Sequence, residues 1–366
     1  MFITDLIHRL VTYLLSWVSL AQNSEYGWQS LDRKTGRLEH EQQPLLKKLK
    51  LLLLFNPVTE WIDTTHIMRL YLHNRNAAKG IEESSPKSKS QIRAFVDNYK
   101  IRMQDFEPSD VDAYPTFADF FTRRHTAGSR PIFRKEDDRA AVVVADSRVV
   151  VYNSVAEAKR LWIKGRDFSI GQLAMDVELG HDFDGGSVAS FRLSPQDYHR
   201  YHSPVTGTVK LFRSVPGDYY QVDAIALQSD VDILTRNARE YLLLETPEFG
   251  DVLFVAIGAT DVGTVHIYEK WKKAGAEVSK GDELGFFQFG GSSIIVAFQK
   301  DRIRFDKDLL DLSQQRIQVS VEVGMSLGQA CAVSKDSTDS AQHHEQAGSS
   351  TVGDESYADK LKEGVE

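Results

Sequence analysis

The stretch Phe286-Phe287-Gln288-Phe289-Gly290-Gly291-Ser292-Ser293-Ile294-Ile295-Val296-Ala297-Phe298 constrains this chain more than any other. Two β-like apolar runs meet there at a pair of glycines and a pair of serines. The glycines let the backbone adopt conformations that other residues resist, and they leave the peptide between Gly291 and Ser292 sterically open. A hydroxyl directly after such a peptide can attack the preceding carbonyl. The N→O acyl shift gives an ester, elimination releases dehydroalanine, and hydrolysis leaves a pyruvoyl group. For GGSS taken alone, a turn or bulge in a hairpin is the commoner explanation. Other segments decide between the two.

A chain of 366 residues, 42% hydrophobic and 26% charged, has room for one large globular domain or two modest ones. Its formal net charge of -8 argues against a dedicated nucleic-acid binder. The single cysteine, Cys331, excludes an internal disulfide and a cysteine-based zinc cage, and it fits a reducing compartment.

The N-terminal run from Leu10 to Leu20 is apolar but too short to span a bilayer by itself. An early Asp5 and a scarcity of Arg and Ser make it a poor mitochondrial transit peptide. We expect a membrane-surface helix. After a polar connector, Leu45 and Leu46, then Lys47, Lys48 and Lys50, then Leu51 to Phe55 read either as a basic amphipathic helix on anionic lipid or as a buried helix with lysines at its rim. Asp63 to Tyr71 continues in helical style, and Glu82 to Ser90 is a polar break. Ser90 to Tyr99 has apolar positions at helical spacing, and Thr116 can cap a short helix running to Arg124.

Beyond Gly128-Ser129-Arg130-Pro131-Ile132 the character changes to β. Ala141 to Ala145 and Arg148 to Tyr152 are Val-rich runs around Asp146-Ser147, and further strands are expected at Val188 to Leu193, Thr208 to Phe212, Leu242 to Leu244, Val252 to Ile257, Val262 to Ile267 and on both sides of the Gly-Gly pair. Lys300 to Ile317 reads as a strand-to-helix return before Val319 to Val323. The fold class is therefore α+β: an N-terminal helical, membrane-associating region followed by a barrel- or sandwich-like β domain. The expected division is 1–43, a hydrophobic helix and connector; 44–135, a helical membrane-proximal region; 136–333, the catalytic domain; and 334–366, a polar disordered tail. His343 and His344 lie in that tail and are expected in solvent.

Three further segments carry candidate chemistry. In Ser194-Pro195-Gln196-Asp197-Tyr198-His199-Arg200-Tyr201-His202-Ser203-Pro204, Ser194 and Pro195 make a helix start and Asp197 a capping acid. On one helical turn His199 and His202 would project to one side. Without an HExxH or cysteine partner, acid–base work is a better reading than metal binding, because imidazole exchanges protons near neutral pH. Asp146 interrupts an apolar run where a carboxylate must be hydrogen-bonded or exposed in a turn. As a buried group it could orient a histidine that activates Ser292. The glycines of Gly258-Ala259-Thr260-Asp261-Val262-Gly263 suggest close approach between strands, and no phosphate-loop pattern accompanies them.

Together these segments resemble the phosphatidylserine decarboxylase family. Phe117-Ala118-Asp119-Phe120-Phe121-Thr122-Arg123 with Gly128-Ser129-Arg130-Pro131 is similar to the family's opening motif, and Val144-Ala145-Asp146 resembles its P-A-D-G turn. Asp197 to Pro204 resembles D-Y-H-R-x-H-x-P, Gly258 to Gly263 resembles G-A-T-x-V-G, and Lys280 to Gly285 leading into Gly290-Gly291-Ser292-Ser293 resembles the approach to the self-cleavage site. The likeness runs from about Trp28 to Phe298. It implies a triad of Asp146, His202 and Ser292 that cuts between Gly291 and Ser292. It further implies a β chain of 1–291, an α chain of 292–366 and a covalent pyruvoyl cofactor derived from Ser292. That carbonyl forms a Schiff base with the substrate amine and acts as electron sink, with no PLP and no metal. By the same resemblance His199 assists decarboxylation or protonates the carbanion. Ser147 departs from the family glycine, Ser293 from threonine, and Gly290 from the bacterial leucine; none of these removes a catalytic group.

The resemblance leaves no room for the C2 domain of some relatives, so calcium-dependent docking is not expected. It implies decarboxylation of phosphatidylserine in an anionic membrane, without nucleic acid and with a homodimer left open, at endomembranes rather than the mitochondrial inner membrane. One rival is the same pyruvoyl chemistry on a soluble aromatic amino acid. The other is a non-catalytic lipid-binding scaffold or carrier domain, although neither the M-K-M nor the D-K-A context of a carrier lysine occurs.

Overall fold

Three neighbouring strands lie at the centre of the main sheet. Ser187–Leu193, Val252–Ile257 and Ser292–Phe298 are buried at every position, as strands covered on both faces must be. The computed structural model describes residues 29–40, 80–161, 168–218, 233–259, 264–288 and 292–331. The expected helices over Leu10 to Leu20, Leu45 to Phe55 and Asp63 to Tyr71, the Thr260 to Gly263 stretch, Gly290-Gly291 and the tail lie outside these residues.

The strands are β1 (Gln29–Asp32), β2 (Leu38–His40), β3 (Phe106–Glu107), β4 (Arg124–His125), β5 (Ala140–Val142), β6 (Ser147–Tyr152), β7 (Ser187–Leu193), β8 (Arg200–His202) and β9 (Gly207–Val215). They continue as β10 (Arg239–Thr246), β11 (Gly250–Ile257), β12 (Thr264–Ile267), β13 (Glu277–Val278), β14 (Glu283–Gln288), β15 (Ser292–Phe298), β16 (Ile303–Phe305), β17 (Gln318–Val321) and β18 (Ser326–Ala330). Ten of them form one sheet in the order β13-β9-β10-β11-β15-β7-β6-β17-β1-β2. All its pairs are antiparallel except β1 with β17. Two three-stranded sheets, β12-β14-β8 and β16-β18-β5, accompany it.

The sheet is open, so a closed barrel is not formed among the described residues. Its two ends are β13, two residues long, and β2, three residues long. Strands so short offer little ladder for a closing partner. The α+β class stands, with strands the main element of the described β part and short helices between them.

Thr116 caps the helix Phe117–Phe121 as expected, its hydroxyl accepting from the Asp119 N–H at 3.1 Å. Ile92, Val96, Tyr114, Phe117, Phe120 and Phe121 pack into a cluster of their own beside the helix Ser90–Tyr99. The expected polar break before that helix is instead a 3-10 turn, Pro86–Lys89, because Ser88 Oγ bonds back to the Glu83 and Ser85 carbonyls. The helix Lys307–Gln314 packs on β6 and β17, and its Ser313 Oγ accepts the Val151 N–H at 2.9 Å. No described helix is long and apolar enough to cross a membrane.

Candidate active site

β15 begins at Ser292, which faces Leu193 at the end of β7; Ser293 faces Arg192. Both serines are fully buried. The Ser293 hydroxyl donates to the Phe191 carbonyl at 3.0 Å, whereas Ser292 Oγ has no hydrogen-bond partner among the described residues. A buried hydroxyl without a partner costs about 1–3 kcal/mol, and such a group marks chemistry more readily than packing. Of the two adjacent serines, Ser292 is the one left uncommitted among the described residues.

One residue beyond Leu193 the chain turns. Ser194 donates its N–H to the Asp197 carboxylate at 2.7 Å, and Arg148 meets the same carboxylate at 2.6 Å. Asp197 thus caps a turn, but no helix follows it. Arg200–His202 is a strand that pairs with Glu283, Gly285 and Phe286 of β14. The expected helical face shared by His199 and His202 does not exist, because pairing with a segment some eighty residues away overrides the local helix-start signal.

The two histidines accordingly have separate surroundings. His199 is fully buried, with its ring stacked on Phe121 at 3.9 Å. Its Nε2–H donates to the Ser194 carbonyl at 3.1 Å, which leaves Nδ1 as a bare, buried acceptor with no partner among the described residues. Burial, reinforced by the Arg123 guanidinium, pushes its pKa down to about 3. At neutral pH this ring is uncharged.

Arg123 is itself buried between Phe106 and Phe120, 4.3 and 4.8 Å from their ring centres. It donates to the Gln196 and Asp197 carbonyls at 2.7 and 3.0 Å. The Phe117–Arg123 motif therefore supports the histidine loop from below, with Phe121 under the imidazole and Arg123 under the turn.

His202 is held at both ring nitrogens. Nδ1 lies 2.9 Å from the Gly281 carbonyl and Nε2 lies 3.0 Å from the Tyr198 hydroxyl. Burial lowers its pKa, against the opposing influence of the Gly281 carbonyl and Glu283. Glu283 in turn bonds Arg200 and the Tyr268 hydroxyl.

Asp146 is brought not to His202 but to Arg130 and His125. The Arg130 guanidinium reaches it at 2.7 Å and the Val323 N–H at 2.8 Å. His125 Nε2 lies 3.2 Å away, within ion-pair distance but off the line of a good hydrogen bond. Burial alone would raise this carboxyl, yet His125 and Arg130 overcome it and hold the group far below the usual carboxylate range. No hydrogen bond joins Asp146 to His202 or His202 to Ser292 among the described residues. His125, Arg123, Arg130 and Tyr198 were not singled out as site residues by sequence. Three of these lie inside the quoted motifs, and His125 follows directly on Arg123-Arg124, where no periodicity marks it.

With this geometry in place, likeness to known proteins can be set beside it. A family model described as phosphatidylserine decarboxylase matches residues 117–329, a span containing Asp146, His199, His202 and Ser292. A phosphatidylserine decarboxylase proenzyme 2 of Oryza sativa is 42% identical over 302 residues, covering 81% of this chain and 47% of that protein. A proenzyme 2 of Komagataella phaffii is 39% identical over 300 residues, covering 81% of this chain and 29% of that protein. A phosphatidylserine decarboxylase proenzyme of Fusobacterium nucleatum is 33% identical over 301 residues, covering 82% of this chain and 97% of its own length. The chain thus spans less than half of the length of the first two, and nearly all of the third.

Proposed function

The chain belongs to the phosphatidylserine decarboxylase family, and from that premise we propose that it is a self-processing, pyruvoyl-dependent decarboxylase of phosphatidylserine. The observation that carries the reading is Ser292 Oγ, buried and without a partner among the described residues, at the start of a central strand and directly after two glycines in the sequence. His199 Nδ1, buried and bare, is the second atom that fits a reactive group formed at this place.

In the proposed processing, Ser292 Oγ attacks the Gly291 carbonyl. The C–N bond breaks as the ester C–O bond forms, and the freed amine takes a proton. Loss of the Ser292 Cα proton expels the Gly291 carboxylate and leaves dehydroalanine, from which water displaces ammonia to give the pyruvoyl carbonyl. Asp146, His202 and Ser292 are the residues we assign to this step, with His202 uncharged and able to accept a proton. A pyruvoyl group at this strand start supplies a carbonyl for the substrate's amine and a sink for electrons as carbon dioxide leaves. His199, fully buried and stacked on Phe121, is the residue we assign to assisting decarboxylation or protonating the carbon that lost its carboxylate.

We place the reaction at a membrane surface, with 1–43 and 44–135 holding the catalytic domain of 136–333 against anionic lipid. The lysine-flanked leucine run, Leu45 to Phe55, supports this, as does the lipid named in the relatives' descriptions. An endomembrane location and a cleaved pair of chains, 1–291 and 292–366, complete the proposal. Intact mass and a denaturing gel of the purified protein beside Ser292→Ala test it. Splitting of the wild type alone, with a small fragment whose N-terminus is blocked to Edman degradation, is the expected result. Two full-length proteins, both folded, would overturn it. Thin-layer analysis with labelled phosphatidylserine against tryptophan then separates the lipid substrate from an aromatic amino acid.

A further inference from the structure

We propose that Tyr198 is a positioning residue for His202, and that the Asp146–His125 pair acts on His202 through the Tyr198 ring. A carbonyl only accepts, so the His202 Nδ1 that meets Gly281 O at 2.9 Å carries the ring proton, and Nε2 holds the lone pair. That lone pair receives the Tyr198 hydroxyl at 3.0 Å. The two bonds select one tautomer and one ring orientation, with the Nε2 lone pair turned toward the Tyr198 hydroxyl.

What fixes the hydroxyl is the packing of its ring. Tyr198 is 2% exposed and sits with Phe106 and Val323 in a small apolar cluster separate from the main core. Its ring centre lies 3.9 Å from that of His125, which is stacked on Phe106 at 4.8 Å. His125 is held at Nδ1, which donates to the Asp105 carbonyl at 3.2 Å, while Nε2 lies 3.2 Å from Asp146 without a hydrogen bond. Val323, also in this cluster, gives its N–H to Asp146 at 2.8 Å. Asp146 and His202 therefore share no hydrogen bond, yet two packed rings connect them. The Asp105 carbonyl holds His125 against the carboxylate, His125 wedges Tyr198, and Tyr198 orients His202.

The inference rests on the reading of His202 as the proton acceptor in self-cleavage, so the test uses two readouts. Tyr198→Phe keeps the ring and deletes only the oxygen. In an uncleaved Ser292→Ala background, ¹⁵N shifts of the His202 ring are expected to show a single Nδ1–H tautomer with Tyr198 present and a mixture with Phe. In the cleavable chain, Tyr198→Phe is expected to slow splitting at least about tenfold, the lower end of what lost outer-shell partners cost. His125→Gln is expected to slow splitting by itself and to add little once the Tyr198 hydroxyl is gone.

An unchanged tautomer, an unchanged splitting rate, or fully additive effects of the two substitutions would each overturn the proposal. If the wild type does not split at all, the self-cleavage reading fails, and the ¹⁵N spectra still decide whether Tyr198 sets the tautomer. Should Tyr198→Phe not fold, His125→Gln carries the same pair of readouts.

Discussion

Arg130 closes on Asp146 side-on, Nη2 donating at 2.7 Å and Nε at 3.1 Å, in a site where the two side chains are only 10% and 13% exposed. A pair so enclosed is costly to break from one side, because the remaining charge stays buried. Arg130→Ala should lower the unfolding free energy by about 3 kcal/mol at pH 7, read from urea midpoints in a Ser292→Ala background. The depressed Asp146 carboxyl contributes stability that is complete above its unfolded pKa of about 3.9 and is lost as pH falls below it. The gap between parent and variant should therefore narrow on acidification through that range. A gap that stays constant would mean that the pair does not set the acid response.

Cleavage after Gly291 should not release the smaller chain. β15 lies between β11 and β7, β17 between β6 and β1, and β18 between β16 and β5. Each strand of the downstream chain is thus flanked by upstream strands, apart from the β16–β18 pair, which is internal to it. After splitting, 1–291 and 292–366 are expected to co-elute on size exclusion and to separate only in denaturant. Dissociation of the split protein under native conditions would contradict the sheet order.

Much of this arrangement was legible because it is written in local chemistry. Thr116 with Asp119 announces a helix start, and the runs Val188 to Leu193, Val252 to Ile257 and Ile294 to Phe298 announce buried strands. What the sequence hid are the partners that only folding brings together. Asp197 looks like a helix cap and caps a turn, because β8 is claimed by β14. Asp146 looks poised for a histidine and finds one, but it is His125 rather than His202, beside an arginine sixteen positions earlier. Neither pairing follows any periodicity that could be read along the chain. The openness of the ten-stranded sheet was equally hidden, since strand length and spacing are the same in open and closed arrangements.

His199 should make the protein sensitive to mild acid. Its folded pKa is pushed down to about 3, by burial first and by Arg123 second, while the unfolded ring titrates near 6.5. A base whose folded pKa is depressed stabilises the fold fully above its unfolded pKa, and that stability is lost as pH falls below about 6.5 toward the folded value. The slope from such a group is at most about 1.4 kcal/mol per pH unit. His199→Gln in the uncleaved background should remove most of this slope between pH 6.5 and 5, measured by urea unfolding at each pH. His202 is shifted in the same direction, by burial, and adds to the slope. A variant that keeps the full parental slope would show that His199 is not the group responsible.

Gly281 ties backbone conformation to the orientation of His202. It has φ +86°, a region that side chains resist, and its carbonyl is the acceptor for His202 Nδ1. A Cβ added there would lie 2.7 Å from Ile132 Cδ1, the movable end of a side chain, so the steric part of the cost can be relieved and the dihedral part cannot. Gly281→Ala should destabilise by about 1–2 kcal/mol, and combining it with Ile132→Ala should not restore the parental midpoint. Because the carbonyl must move if the dihedral relaxes, Gly281→Ala should also slow self-cleavage more than its loss of stability alone accounts for, as measured at a urea-free temperature where the variant is fully folded. A variant that splits at the parental rate would show that His202 keeps its orientation without this backbone anchor.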